Sequence, residues 1–205
     1  GIVSLPEGAM SSRRGNVVYF MDVADEAVRR VKQVIAEKNP GLDAATQEQV
    51  ARQVGLGALT YAMLSVDNLR DTVFDMDAAL SLEGQSAPYI QNAHVRATSI
   101  LRKAGSLPGD AAFDHELAPL ETALVDLVGR FPAVVQQAAK DYKPLHMASY
   151  TYDLAKAFHA FYHAVPVLQA PDAKITDARL RLTAAARQTL ANSLRLLDIE
   201  APDVM

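Results

Sequence analysis

The 205-residue sequence predicts a mainly α-helical protein with a small non-helical segment at its N-terminus. Three observations lead there. Apolar residues recur at helical spacing through most of the chain, as in Ile90, Ala93, Ala97, Ile100, Leu101 and Ala104. Hydrophobic residues make up 50% of the chain and aromatics only 6%, with abundant Ala, which favours closely packed helices over a β-rich fold. Proline and glycine cut the pattern into helix-length pieces, as at Asn39-Pro40-Gly41 and Pro166.

Residues 1–21 lack helical periodicity, and Val17–Phe20 (VVYF) is a short strand candidate. This segment is expected to be loosely held. Asp22 is placed to cap a first helix whose opening turn carries Asp25 and Glu26, with Arg29, Arg30 and Lys32 further along, an order that suits the helix dipole. A second helix spans about Ala44–Leu64, and Gly55 and Gly57 inside it mark a close helix approach or a kink. Ser65–Phe74 reads as an extended connector and Asp75–Leu82 as one or two helical turns. Gly84–Pro88 is a break, followed by a helix over Tyr89–Ala104. Leu117, Leu120, Leu124, Leu127 and Val128 share one side of a helix over Glu116–Gly129. Pro132 opens another helix at its first turn, and Pro144 falls near the start of the next, about Leu145–Val165. A last helix over about Asp177–Leu197 precedes the tail DIEAPDVM.

Cysteine is absent, so disulfide frameworks and thiolate metal sites are excluded. No apolar run approaches the length of a membrane-spanning helix. The opening residues, GIVSLPEGAM, lack the basic and apolar regions of a signal peptide. The first residue is not Met, and the chain starts within what reads as a strand and loop, so a piece of a longer protein is expected.

The net charge of −4 argues against indiscriminate nucleic-acid binding, but the charge is unevenly spread. Between Glu83 and Asp110 there is no acidic residue, and Arg96, Arg102 and Lys103 lie there unopposed. Ala178–Leu197 is likewise acid-free, with Arg179, Arg181, Arg187 and Arg195. Such stretches in an acidic protein suggest surfaces aimed at polyanions. On Tyr89–Ala104, the residues Tyr89, Asn92, Arg96, Ser99 and Lys103 fall on one face. An aromatic, an amide and two cations suit an unstacked base and its phosphates. On pattern alone, an ordinary solvated face with Tyr89 at its rim is the simpler reading.

Met10-Ser11-Ser12-Arg13-Arg14-Gly15-Asn16 is a short cationic loop. Hydroxyls and forked charge on a flexible backbone can close over a triphosphate, although a solvated turn is the commoner meaning of such a stretch. His159 and His163 have the i, i+4 spacing of a helical metal site. Residue 160 is Ala, so the pair is not H-E-x-x-H, and it reads as helix surface or rim with no metal. Tyr152, Phe158, Phe161 and Tyr162 are mostly core by spacing. No G-x-S-x-G, P-loop or G-x-G-x-x-G pattern occurs.

Several stretches resemble arginyl-tRNA synthetases. Glu83, Gly84, Ala87, Pro88 and Tyr89 match a loop of the E-G-x-x-A-P-Y type, and Gln91, Asn92, Ala93, His94 and Arg96 match the Q-Y-A-H-x-R helix that follows it. LPEGAMSSRRGNVVYFMDVADEA is similar to the K-M-S-K-S-type signature loop of class I synthetases with its following strand and helix. Ser149–Phe158 with Phe161 and Tyr162 resemble the family's Y-D-L-A-x-x-F-x-x-F-Y helix, and the similarity runs on to Ile199-Glu200-Ala201-Pro202. Two departures stand out: Ala9 replaces the first Lys of the signature loop, and Asn92 replaces the Tyr of the helix.

The resemblance implies a helical bundle of the class I synthetase anticodon-binding type. It implies three regions: 1–21 as a remnant of a catalytic domain, 22–85 as connecting helices that meet the tRNA stem, and 86–205 as the anticodon-binding domain with its DALR-type architecture. Ser11, Ser12, Arg13 and Arg14 would meet the phosphates of ATP. Tyr89, Gln91, Asn92, Arg96, Lys103 and Met205 would meet tRNA(Arg). The intact enzyme would be a cytoplasmic, monomeric ligase joining arginine to tRNA(Arg) with ATP and Mg²⁺. The 205 residues alone, lacking an H-I-G-H-like motif, are expected to need no cofactor and to catalyse nothing. Two other readings are a non-catalytic helical RNA-binding or scaffold module, and a helical metalloprotein built on His159 and His163.

Overall fold

The computed structural model describes residues 1–6 and 18–205. Two short strands, β1 (Val3–Ser4) and β2 (Thr72–Val73), pair in parallel, with Val3 opposite Thr72 and Ser4 opposite Val73. Seven helices are described: α1 (Phe20–Lys38), α2 (Ala44–Leu64), α3 (Met76–Ala79), α4 (Ala87–Ala104), α5 (Pro119–Asp141), α6 (Pro144–Ala164) and α7 (Ala173–Leu196). The mainly helical class is as predicted. α1 and α2 pack as a hairpin, and α2 also lies against α4. α4, α5, α6 and α7 form a bundle around a core of Ile90, Leu124, Leu154, Phe158, Phe161, Leu190 and Leu194.

Three helix starts follow from their caps. Asp43 accepts from the Thr46 N–H at 3.0 Å to open α2. Ser86 accepts from the Tyr89 N–H at 3.3 Å, and Pro88 sits in the first turn of α4, where its missing N–H costs nothing. Asp172 accepts from the Lys174 N–H at 2.6 Å to open α7. Gly105, at φ 76°, ends α4 in a conformation that side chains disfavour.

The structure corrects the sequence reading in four places. The described part of the expected VVYF strand is not a strand: Phe20 begins α1, so residues 20 and 21 are helical. Asp22 does not cap α1. Tyr19 holds the cap position without a side-chain bond, and Asp22 lies in the first turn, where its charge faces the positive end of the helix. Residues 1–6 are also tied to the fold, where the whole of 1–21 was expected to be loosely held; residues 7–17 lie outside the described residues. The N-terminal amine of Gly1 donates to the Asn68 carbonyl at 2.7 Å, the Ile2 N–H donates to Asp71 Oδ1 at 2.6 Å, and Val3 and Leu5 pack on Ala24, Leu59 and Phe74. Lastly, Pro132 starts no helix but lies inside the 23-residue α5. An internal proline costs about 3 kcal/mol or more. Here Leu124, Leu127 and Val128 before it and Val134, Val135 and Ala138 after it continue one apolar stripe onto the bundle core, so both halves gain burial as a single helix.

Gly55 and Gly57 mark close approaches, as expected. A Cβ on Gly55 would stand 2.9 Å from the Val28 backbone nitrogen of α1. One on Gly57 would stand 3.0 Å from Ile199 Cγ2 and 3.1 Å from Gln91 Nε2. Gly55→Ala gains about 1 kcal/mol of helix propensity but forces the α1 backbone away. We expect a net loss of about 1 kcal/mol, readable as a lower urea midpoint at unchanged m-value.

Candidate nucleic-acid interface

The residues expected to touch RNA sit on or around α4, but the fold divides them among three environments. The first is the interior. Gln91 is fully buried, and its side-chain amide donates to the Gln53 carbonyl at 3.2 Å and the Glu200 carbonyl at 2.8 Å. That is a structural role, and Gln91 therefore leaves the set of RNA-facing residues. His94, also buried, directs Nδ1 at the Pro202 carbonyl at 2.9 Å, so Nδ1 carries the proton and donates. Burial depresses the His94 pKa below the usual histidine value, against the opposing pull of that carbonyl. These two bonds lay residues 199–205 across α4. Asn39, which follows the last residue of α1, donates to the Met205 carbonyl, and Val204 and Met205 pack against Val31, Ile35, Val50 and Val54.

The second environment is a cleft of ≈ 280 Å³ between α1, α2, the residues that follow α3, α4 and the tail. Asn92 and Met205 both line it, whereas Arg96, expected from the resemblance to share a pocket with Met205, does not. Its walls are apolar, from Val31, Val34, Ile35, Leu80 and Leu82, and Arg30 and Lys38 add charge. Arg30 is already engaged, at 2.6 Å from both Glu26 and Asp77. An apolar slot with two amides, Asn92 and an Asn39 that already donates to the Met205 carbonyl, suits a flat heteroaromatic ring whose edge is read by hydrogen bonds. The contribution of α1 was not readable in the sequence, because nothing local to Val31 or Val34 distinguishes a cleft wall from an ordinary helix face.

The third environment lies between α4 and α6. Tyr89 is half-buried there, with its ring centroid 4.6 Å from that of His159 and 5.6 Å from that of Tyr152. Burial raises its phenol pKa. Arg96 does not line the Asn92–Met205 cleft. Its Nη1 lies 2.9 Å from His163 Nε2 and 3.3 Å from His159 Nδ1, and its guanidinium sits over the Tyr162 ring, 5.0 Å from the centroid. His159 is buried and directs Nε2 at the Tyr89 carbonyl at 3.2 Å, so that nitrogen donates and Nδ1 is left to accept from Arg96. Desolvation lowers the His159 pKa, and the Arg96 charge adds to the shift, which keeps the ring neutral as this pattern requires.

The sequence reading took His159 and His163 as helix surface or rim and Tyr162 as mostly core. His163 is exposed as expected, but His159 is buried and Tyr162 is exposed, at 39% of its surface. Lys103 and Arg102 are exposed near the end of α4. Among the described residues no group of three or more His, Asp or Glu is placed to hold a metal ion. Ser11, Ser12, Arg13 and Arg14 lie outside the described residues.

Comparison with known proteins adds the following. Residues 90–205 match the family model of the DALR anticodon binding domain, and residues 1–76 match that of the class I (R) tRNA synthetase catalytic domain. An arginine–tRNA ligase of Pyrococcus abyssi is 44% identical over 209 residues, covering 99% of this chain and 33% of the relative. One from Clostridium acetobutylicum is 35% identical, covering 100% of this chain and 36% of the relative. The solved arginyl-tRNA synthetase of Thermus thermophilus superposes with a TM-score of 0.91 at 37% identity, over 100% of this chain and 34% of that one. The chain thus spans about a third of the length of the curated relatives it matches.

Proposed function

Since the chain belongs to the arginyl-tRNA synthetase family, we propose that residues 86–205 hold the anticodon arm of tRNA(Arg) for an arginine–tRNA ligase. Residues 22–85 would meet the tRNA stem, and residues 1–21 would belong to the catalytic domain. The observation that carries the proposal is the cleft itself. It brings Asn92 and Met205, far apart in sequence, against apolar residues of α1 beside an acid-free helix.

In this reading the cleft accepts an unstacked anticodon base. Apolar side chains cover its faces and the Asn92 amide pairs with its edge, as Asn does with donor–acceptor pairs on bases. Arg102 and Lys103 meet backbone phosphates. By sequence alone, Ser11, Ser12, Arg13 and Arg14 are assigned to the phosphates of ATP, which the intact enzyme would use with Mg²⁺ to activate arginine. Such a ligase acts as a monomer in the cytoplasm.

Titration with an anticodon stem-loop of tRNA(Arg) tests the proposal. Asn92→Ala should weaken binding by about 1–3 kcal/mol, and the loss should vanish when the central anticodon base is changed. Lys103→Ala should weaken binding to every such loop alike and lower the log–log salt slope by about 0.7, as one lost phosphate contact on single-stranded RNA does. Equal discrimination against the altered base by the wild type and Asn92→Ala would remove the base-reading role from the cleft.

A further inference from the structure

Two arginines from different helices converge on one residue of the tail. Arg102 of α4 donates through Nη2 to the Asp203 carbonyl at 3.5 Å, and Arg187 of α7 holds Nη1 4.0 Å from Asp203 Oδ1. Neither arginine has another hydrogen bond or ion pair among the described residues. α4 carries no acidic residue and α7 none after Asp177, so the carboxylate beside these cations comes from the tail. The bond between His94 and the Pro202 carbonyl, at 2.9 Å, pins the backbone next to it. The Asp203 side chain itself is 68% exposed, and an ion pair at 4.0 Å in that setting adds little to stability. A carboxylate that holds the fold so weakly thus stands on a face assigned to RNA, where it opposes the approach of a polyanion. Asp203 lies two residues before Met205, at most about 7 Å of chain from that wall of the base cleft. A nucleotide whose base enters the cleft has its phosphates within the same reach.

We infer that Arg102 and Arg187 form a phosphate site beside the Asn92–Met205 cleft, and that Asp203 is its resident counter-ion, which a phosphate of the RNA strand displaces from Arg187. Guanidinium groups present forked donors that match phosphate oxygens. In the free protein a main-chain carbonyl aims Arg102, and the Asp203 carboxylate partly neutralises Arg187. A phosphodiester offers two free oxygens, one for each guanidinium, and the carboxylate then turns into solvent, as its exposure allows. One anion replaces another, so the phosphate gains less than it would from a bare pair of arginines. Asp203 thereby lowers the attraction for every polyanion alike. The base in the cleft is left to decide which RNA stays bound, because phosphate contacts position a strand without reading its sequence. The inference rests on the anticodon-arm reading and adds to it a phosphate site and a restraint on affinity.

The test measures binding of the 205-residue chain to three RNAs across a salt series: the anticodon stem-loop of tRNA(Arg), the same loop with its central base changed, and an oligouridylate. Asp203→Asn removes the charge and keeps the shape, whereas Asp203→Glu keeps the charge. At low salt Asp203→Asn should bind all three RNAs more tightly, by one common factor of about threefold to tenfold, and its log–log salt slope should steepen by about 0.7. Asp203→Glu should keep the wild-type affinity. Arg187→Gln should bind each RNA more weakly, and in that background Asp203→Asn should lose most of its gain. The pair is exposed, so all these variants should keep a thermal midpoint near that of the wild type. Unchanged or weaker binding by Asp203→Asn would overturn the inference, as would tighter binding by Asp203→Glu. An equal gain from Asp203→Asn with and without Arg187 would also overturn it, because the effect would then be one of overall charge. A wild-type chain that binds the stem-loop without discriminating against the altered base would sink the base-reading cleft, while an Arg187-dependent gain would still support the phosphate site. Failure of the wild-type chain to bind any of the three RNAs would overturn both.

Discussion

Arg179→Ala is expected to cost about 3–5 kcal/mol of folding stability. Glu121 of α5 is 1% exposed and receives four hydrogen bonds: from Arg179 of α7 through Nε at 2.8 Å and Nη2 at 3.4 Å, from the Ala118 N–H at 2.8 Å and from His115 Nε2 at 3.3 Å. Arg179 also donates to the Pro166 carbonyl at 2.9 Å, so one side chain joins α5, α7 and the α6–α7 connection. Removing it leaves a carboxylate in the interior without its counter-charge. Replacing both partners, as in Glu121→Leu with Arg179→Met, should cost much less, because no buried charge remains.

The pH dependence gives an independent check. Burial pushes the Glu121 pKa up, but the bonds from Arg179, Ala118 and His115 outweigh it and hold the carboxyl below its ordinary value of 4.5. A carboxyl depressed by folding contributes stability that is present above the unfolded pKa and is lost as pH falls through the folded pKa. The wild type should therefore weaken below about pH 4.5 from this group. In Arg179→Ala the bonds from Ala118 and His115 are expected to be too weak to offset burial, so the shift should change sign. That group's contribution is then present below the unfolded pKa and lost as pH rises through the folded one. Urea titrations of both proteins from neutral pH to acid should show opposite slopes for this contribution. Parallel slopes would show that the pair is not coupled to folding.

Deleting residues 199–205 is the second large effect, at about 3 kcal/mol. Burying a residue of the size of Ile199 contributes about 2 kcal/mol. The amide of Gln91 and the imidazole of His94 lose protein acceptors, and water entering the exposed site offsets part of that cost of about 1–3 kcal/mol each. The deletion also takes the Met205 wall from the cleft, so stem-loop binding should fall together with stability. Amide exchange should rise in α1 and α2, against which Val204 and Met205 pack. Unchanged protection there would mean that the tail is not what secures the α1–α2 hairpin to α4.

The sequence made the helices legible because their signals are local. Ser86, Pro88 and Gly105 bound α4, and Pro144 and Pro166 bracket α6, so those elements were placed to within a residue or two. Gly55 and Gly57 announced close packing through their very lack of a side chain. The errors came where a distant partner decides. Pro132 is a local breaker overruled by an apolar stripe that only the bundle completes. Gln91 has the character of a surface amide, and only the tail's carbonyls account for its burial. Arg96 and Asn92 share a helix face in the sequence. They part company because α6 lies against one side of that face and α1 against the other. The same holds for His159 and His163, whose i, i+4 spacing carries no hint that an arginine on another helix fills the place of a metal.

The tail also bears on the order in which the molecule assembles. Its contacts join residues separated by 166 positions (Asn39 with Met205), 109 (Gln91 with Glu200) and 108 (His94 with Pro202). The surface it covers is composite, made of α1, α2 and α4, and exists only once those helices have met. The α1–α2 and α5–α6 hairpins close short connections and can form early, whereas long-range contacts are formed against a larger loss of chain entropy. Docking of residues 199–205 is then a late event in folding. Mutations in this segment should accelerate unfolding and leave the refolding rate nearly untouched. The cleft between Asn92 and Met205 is completed in that final step, so the protein acquires its base-sized slot only after the rest of the fold is in place.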